Sequence, residues 1–376
     1  MQPRASRTLT RVLIATASFA LCGVLLEGTS RVYLRFALPD EGASDDITPI
    51  PYRDADYLTP EFLAEIRRGV SQVPVEGSPH FVLEETAGRY INVVDSRRVT
   101  TDQPASPDRR LLAFGGSTML SEEVPDWYTI PSFLQRLINA HCETPIAVLN
   151  YGVSAMNILQ QRSRLSSTEV RPGDIVVFYS GVNSVYFLIH AGGRSYGSPP
   201  GLVDRVREAA AWMRQRSAAA AVVVDVWESA PPAVVSEPAG LRANLDRAEH
   251  DYRHEVTSAH RFVSARGGEF VHFLQPQLFA TGLSTPYRRQ LGQDYPGLET
   301  SFRLGYPRLR HALAAAAREA GVRSWDLSDL LAAEEVHGEV FFDFAHVNEI
   351  ANAVVARAMF ARLADHIGDC AATALD

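Results

Sequence analysis

The chain has 376 residues, 46% of them hydrophobic and 21% charged, with a formal net charge of −8. That length and apolar content can bury a large core in one domain with extensions. The acidic balance excludes a general nucleic-acid binder, since no basic surplus is available to displace counterions from phosphates. All 36 basic residues are arginines with no local cluster, and three cysteines (Cys22, Cys142 and Cys370) make neither a disulfide scaffold nor a metal site.

Arg4, Arg7 and Arg11 precede an apolar run from Val12 to Leu26 that Glu27 ends. Arginines ahead of an apolar core mark a signal anchor or a secretion signal. Gly28-Thr29-Ser30 is a poor match to a small-x-small cleavage site. The expectation is therefore an uncleaved single-pass anchor over residues 1–28 with the remainder outside the cytoplasm, cleaved secretion being the alternative. In such a compartment Cys142 and Cys370 can pair. Residues 29–88, with Pro39, Pro49 and Pro51 among scattered acids, read as a stalk and extension carrying a short helix at Pro60–Gly69. Arg89–Asp95 and Arg97–Thr100 form a strand–turn–strand pattern, and a polar linker, Thr101–Asp108, leads into the core.

From there to about residue 370 strands and helices alternate, the mark of a parallel sheet covered on both faces. The strands are Leu111–Gly115, Ile146–Tyr151, Ile175–Tyr179, Glu269–Leu274 and Arg323–Leu327. Thr129 caps a helix with Pro131 near its start; others follow Gly152, span Pro238–Ala265 and Tyr306–Ala320, and close the chain at Asn348–Ile367. Residues 192–238 break the pattern with glycines, prolines and an alanine–valine run, and read as an insertion over the site, a lid or groove wall.

The run Leu111-Leu112-Ala113-Phe114 stops at Gly115-Gly116, and Ser117 follows where the chain should turn. Glycine permits strained backbone and close approach there, which places a hydroxyl at the carboxyl end of a strand. Gly152 and Asn183 fall at the ends of the next two strands, and Asp343 precedes His346 by one helical turn near the carboxyl end. These four blocks, in this order, resemble the SGNH (GDSL-like) hydrolase family over about Tyr90 to Leu363. The Gly115-Gly116-Ser117-Thr118 block and Thr129–Gln135 look most similar to membrane-anchored bacterial members. The resemblance implies a three-layer α/β/α flavodoxin-like fold with a central parallel sheet, joined here to an amino-terminal membrane helix. It implies Ser117 as nucleophile, His346 as base, Asp343 as its support, and an oxyanion hole from the Ser117 and Gly152 backbone with the Asn183 amide. Two positions depart from the family pattern: Ser184 stands where an aspartate is common, and Met119 where many relatives have threonine. Met119, two residues after Ser117, also excludes the Gly-x-Ser-x-Gly elbow of α/β-hydrolases.

The function expected is an extracytoplasmic serine esterase hydrolysing small acyl esters, acetyl first, on carbohydrate or cell-envelope glycan through an acyl-Ser117 intermediate. One alternative is an O-acyltransferase of the same fold, in which a glycan hydroxyl captures the acyl group. Another is a catalytically idle glycan-binding or scaffold protein. No cofactor is expected, and no metal, because His346 and Glu349 lack further ligands at suitable spacing. The partners expected are an acyl ester, a glycan and the membrane through the amino-terminal helix, with no nucleic acid and no oligomeric state assigned. His272 reads as a core or rim residue and Asp126-Trp127-Tyr128 as a loop with a packed aromatic.

Overall fold

The computed structural model describes residues 50–53, 55–190, 238–295, 297–332 and 338–371. The anchor expected over residues 1–28 and nearly all of the insertion expected over 192–238 lie outside them. Among the described residues no helix is long and apolar enough to cross a membrane.

Helix α1 (Pro60–Arg68) starts where Thr59 Oγ1 accepts the Phe62 N–H at 3.1 Å. A hairpin follows, β1 (Gln72–Pro74) with β2 (Phe81–Leu83), and then the antiparallel pair β3 (Val93–Val94) and β4 (Arg97–Arg98). The pair is shorter than the sequence pattern suggests. The N–H groups of Arg89, Tyr90 and Ile91 donate to the Glu65 carboxylate at 2.7, 3.0 and 2.9 Å, so these donors are taken before any strand can use them. Residues 50–88 are also not an extended stalk where they are described. Tyr52, Tyr57, Phe62 and Leu83 are buried in one cluster with Leu120, Val124, Val153 and Met156, which follow the first two parallel strands of the main sheet.

The core begins with β5 (Arg109–Gly115), α2 (Ser117–Leu120), α3 (Ile130–His141), β6 (Ile146–Gly152), α4 (Ile158–Ser166), β7 (Ile175–Ser180) and α5 (Val182–Val185). It continues through α6 (Pro238–Ser264), β8 (Glu269–Leu274), α7 (Pro286–Asp294), α8 (Leu298–Ala320), β9 (Arg323–Asp326) and α9 (Glu349–Ile367). Helix α8 starts eight residues earlier than the sequence reading placed it and carries Pro307 inside it. Its amino-terminal turns are held by burial of Leu298, Phe302 and Tyr306, which outweighs the lost backbone bond at proline.

The main sheet has the order β3-β4-β6-β5-β7-β8-β9. The five strands from β6 to β9 run parallel, and β4 pairs antiparallel to β6 at the edge. Numbered along the chain, the parallel strands stand in the doubly wound order 2-1-3-4-5. Strand periodicity divides the core between two faces. Leu111 and Ala113, with Ile175 and Val177, pack on Leu134 and Ile138 of α3 and Val355 and Met359 of α9. Leu112 and Phe114, with Val176 and Phe178, pack on Leu165 of α4, Tyr252 and Val256 of α6, and Leu309 of α8. Each fully buried side chain of this size contributes about 1.5–3 kcal/mol of transfer free energy. Cys142, at the C-cap of α3, lies opposite Cys370, just past α9, and the two are joined in a disulfide.

Candidate active site

Open parallel sheets leave a crevice at the carboxyl ends of strands where the winding direction switches. Here that place lies between β5 and β7, and Ser117 opens α2 directly after β5. His346 Nε2 lies 2.7 Å from Ser117 Oγ, and His346 Nδ1 lies 2.6 Å from Asp343 Oδ2. With the Nδ1–H donating to the carboxylate, Nε2 is left to accept the serine proton. The other Asp343 oxygen accepts the N–H groups of Ala345 and His346, each at 2.7 Å, which fixes the loop that presents the ring. Asn348 then caps α9, accepting the Ala351 N–H, and donates its Nδ2 to the Pro51 carbonyl at 3.1 Å. The extension thereby reaches the end of the histidine loop.

Burial acts against the charged imidazole of His346. The nearby Glu123 charge, then the Asp343 hydrogen bond and charge, outweigh it and push the pKa up to about 9. Burial likewise works against the Asp343 carboxylate, and the bond and charge of His346 overcome it, so that its pKa is lowered.

Asn183, on α5, donates Nδ2 to the Met156 carbonyl at 3.1 Å and keeps a second N–H for other use. Its approach to the nucleophile turn depends on glycine. A Cβ on Gly116 would lie 2.3 Å from Asn183 Nδ2. The expected role of Gly152 is not met. Its N–H donates to Asn150 Oδ1 at 2.8 Å, so it has no hydrogen left for an oxyanion. Glycine is needed there for space instead, since a Cβ would fall 2.4 Å from the Leu120 backbone nitrogen. Three residues on, Ala155 has φ 61°, a conformation that turns the backbone as a glycine would. Its N–H and that of Ser117 donate to no group among the described residues. Ser117 N–H at the nucleophile turn, the second Nδ2 hydrogen of Asn183, and Ala155 N–H in the loop after β6 are therefore the donors left unengaged.

The two departures from the family pattern do not disturb this arrangement. Met119 is fully buried and packs into the sheet core, and Ser184 Oγ accepts the Ile158 N–H at 3.4 Å. His272 is fully buried between Ser180 Oγ at 3.0 Å and Tyr252 OH at 2.8 Å, and burial pushes its pKa down to about 3. It serves the core, as its place on an apolar strand suggests.

Sequence reading missed the support beneath the serine. Arg98 is 1% exposed. Its Nε donates to Asp126 Oδ1 at 2.9 Å, Nη1 to the carbonyls of Leu120 (2.9 Å) and Ser121, and Nη2 to the Val124 carbonyl at 2.6 Å. Asp126 also accepts Asn92 Nδ2 at 2.8 Å. The Asp126-Trp127-Tyr128 stretch thus holds a buried ion pair besides its aromatics, of which Trp127 packs on Tyr90 and Tyr128 on Phe133. The pinned loop carries Glu123, whose Oε1 lies 3.8 Å from His346 Nε2 and whose carbonyl accepts the Tyr52 hydroxyl at 2.7 Å. The only signal for either residue was charge: an arginine in the strand–turn–strand pattern before the core and acids just after the nucleophile block. Among the described residues the one cluster of metal-ligating types is Cys142, Asp369 and Cys370, whose sulfurs are bonded to each other.

No family model matches the chain, and no curated protein matches it. Solved structures of similar fold include a member of the lipolytic G-D-S-L family from Veillonella parvula, 13% identical, covering 67% of this chain and 97% of that one with a TM-score of 0.35. The lipase/acylhydrolase from Enterococcus faecalis is 12% identical and covers 70% of this chain and 98% of that one, with a TM-score of 0.39. A catalytic mutant of an acetylxylan esterase from Geobacillus stearothermophilus is 16% identical and covers 70% and 95%, with a TM-score of 0.38. Likeness at this level assigns no substrate, and the functional reading rests on the geometry above.

Proposed function

We propose that the chain is a serine ester hydrolase of the SGNH (GDSL-like) kind, removing small acyl groups through an acyl-Ser117 intermediate. One observation carries the reading: the unbroken relay from Asp343 through His346 to Ser117, at 2.6 and 2.7 Å, beside a Ser117 N–H that donates to no other group among the described residues. Neutral His346 takes the serine proton as Oγ attacks the ester carbonyl, and Asp343 steadies the imidazolium that forms. The developing oxyanion falls to Ser117 N–H, Ala155 N–H and Asn183 Nδ2, each such donor contributing about 2.7–4 kcal/mol to lowering a barrier of this kind. His346 then returns the proton to the leaving alcohol, and water repeats the cycle on the acyl-serine. An idle binding module gives no reason for an aligned relay of this kind.

We place the enzyme outside the cytoplasm on a single amino-terminal anchor and assign it esters of a polyhydroxylated alcohol such as a carbohydrate. The arginine-flanked apolar run before Glu27 and the Cys142–Cys370 disulfide support that compartment. In the full chain, Ser117→Ala is expected to lower hydrolysis of nitrophenyl acetate by about a thousandfold or more at unchanged melting temperature. Wild-type rates in that variant would remove the proposal.

A further inference from the structure

We propose that Glu123 is the specificity-determining residue on the alcohol side of the site. Its carboxylate accepts a hydrogen bond from a hydroxyl on the carbon adjacent to the one that bears the ester oxygen, and so selects esters of vicinal diols and polyols. This rests on the esterase reading above.

The placement follows from where protons must go. His346 Nε2 delivers the proton to the leaving oxygen and removes one from the attacking hydroxyl, so the alcohol part of the substrate lies against that nitrogen. Glu123 Oε1 lies 3.8 Å from the same nitrogen, too far for a direct hydrogen bond and near enough to reach a group on the same alcohol. The carboxylate is held there by construction. Arg98 grips the carbonyls of Leu120, Ser121 and Val124 on both sides of it, and Tyr52 donates to its own carbonyl. Neighbouring Glu122 is turned to other work, accepting the Val70 N–H at 2.8 Å. The Glu123 side chain is 22% exposed, and His346 is its ion-pair partner among the described residues.

An ionised carboxylate only accepts hydrogen bonds, so its substrate partner must be a donor. A substrate ammonium would meet a second cation, because His346 becomes imidazolium as the bond to serine forms. A neutral hydroxyl bonds the carboxylate without that repulsion. Burial pushes the Glu123 carboxyl up while the His346 charge and its own backbone N–H pull it down, and a hydroxyl donor would add to that pull.

The test uses the full chain and three acetate esters: hydroxyethyl acetate, methoxyethyl acetate, which has the same reach without the donor, and acetylcholine. Wild type is expected to favour hydroxyethyl over methoxyethyl acetate by about tenfold in kcat/KM, the scale of one hydrogen bond to a charged group. Glu123→Ala should bring that ratio close to one; if this variant does not fold, the isosteric Glu123→Gln should reduce it. An unchanged ratio in a folded variant, or no hydroxyl preference in wild type, overturns the assignment while leaving the esterase reading intact. A preference for acetylcholine that vanishes with Glu123 overturns it in favour of a cation site. A wild type that cleaves none of the three and shows no reactive Ser117 overturns the esterase reading and this inference together.

Discussion

At the residue scale, His346 faces carboxylates from two elements: Asp343 from its own loop, and Glu123, with Glu122 behind it, from the loop after α2. Its pKa of about 9 sets the pH at which the free enzyme has a base to offer. The account predicts kcat/KM rising with pH through that value, and Glu123→Gln moving the rise to lower pH because it removes the largest raising charge. A pH profile left in place by Glu123→Gln would contradict this electrostatic picture. The linked effect on stability has the opposite direction. A histidine whose folded pKa stands above its ordinary 6.5 stabilises the fold most fully below that value, and the contribution is lost as pH rises through about 9. That Ser117, Asp343 and His346 come together was legible, because the serine follows a strand end and the aspartate stands three residues before the histidine. The parts played by Gly152 and Ala155 were not. Which N–H is free depends on the Asn150 side chain, and an alanine gives no sign that its φ is positive.

At the scale of elements, the short strand β4, next to the edge of the sheet, holds the nucleophile's surroundings through one side chain. Arg98→Met would leave the Asp126 carboxyl buried without its ion-pair partner and the Leu120 and Val124 carbonyls without their guanidinium donor, while Ser121 would keep only the Val124 N–H. Breaking such a buried pair costs about 3–5 kcal/mol, which urea denaturation would read as a lowered midpoint at similar slope. A loss under about 1 kcal/mol would mean that the loop is held by its aromatic contacts instead. The long strands were plain in the sequence because an uninterrupted apolar run, buried on both faces, has little else it can be. The packing of residues 50–88 was hidden by their mixed composition. Its logic lies in partners far along the chain, such as Tyr52 with Phe342 at 4.3 Å and Tyr57 OH with Glu349 at 2.5 Å.

At the scale of the whole molecule, the doubly wound sheet places the site at one end of its strands and the disulfide at the other. Cys142 follows α3 and precedes the first residue of β6, whereas Ser117 and Ala155 follow the ends of β5 and β6. The bond spans a sequence separation of 228 residues and ties α3 to the segment after α9, the helix whose start presents His346. Reduction is expected to lower stability by about 2–5 kcal/mol, with the turnover of the still-folded protein little changed. Loss of turnover in the reduced, folded protein would show instead that α9 transmits the strain to His346. The parallel sheet and both helical layers could be anticipated from strand–helix alternation, and the pairing of Cys142 with Cys370 from the compartment expected, whereas the strand order and the elements the disulfide ties together needed the fold.

The most direct test of the central claim is covalent. The full chain is treated with a fluorophosphonate, and the adduct is located by peptide mass spectrometry in wild type, Ser117→Ala and His346→Ala. One adduct is expected on Ser117 in wild type, none on Ser117→Ala, and labelling slowed by orders of magnitude in His346→Ala. A folded wild-type protein that takes no label, or takes it on another residue, would contradict that claim.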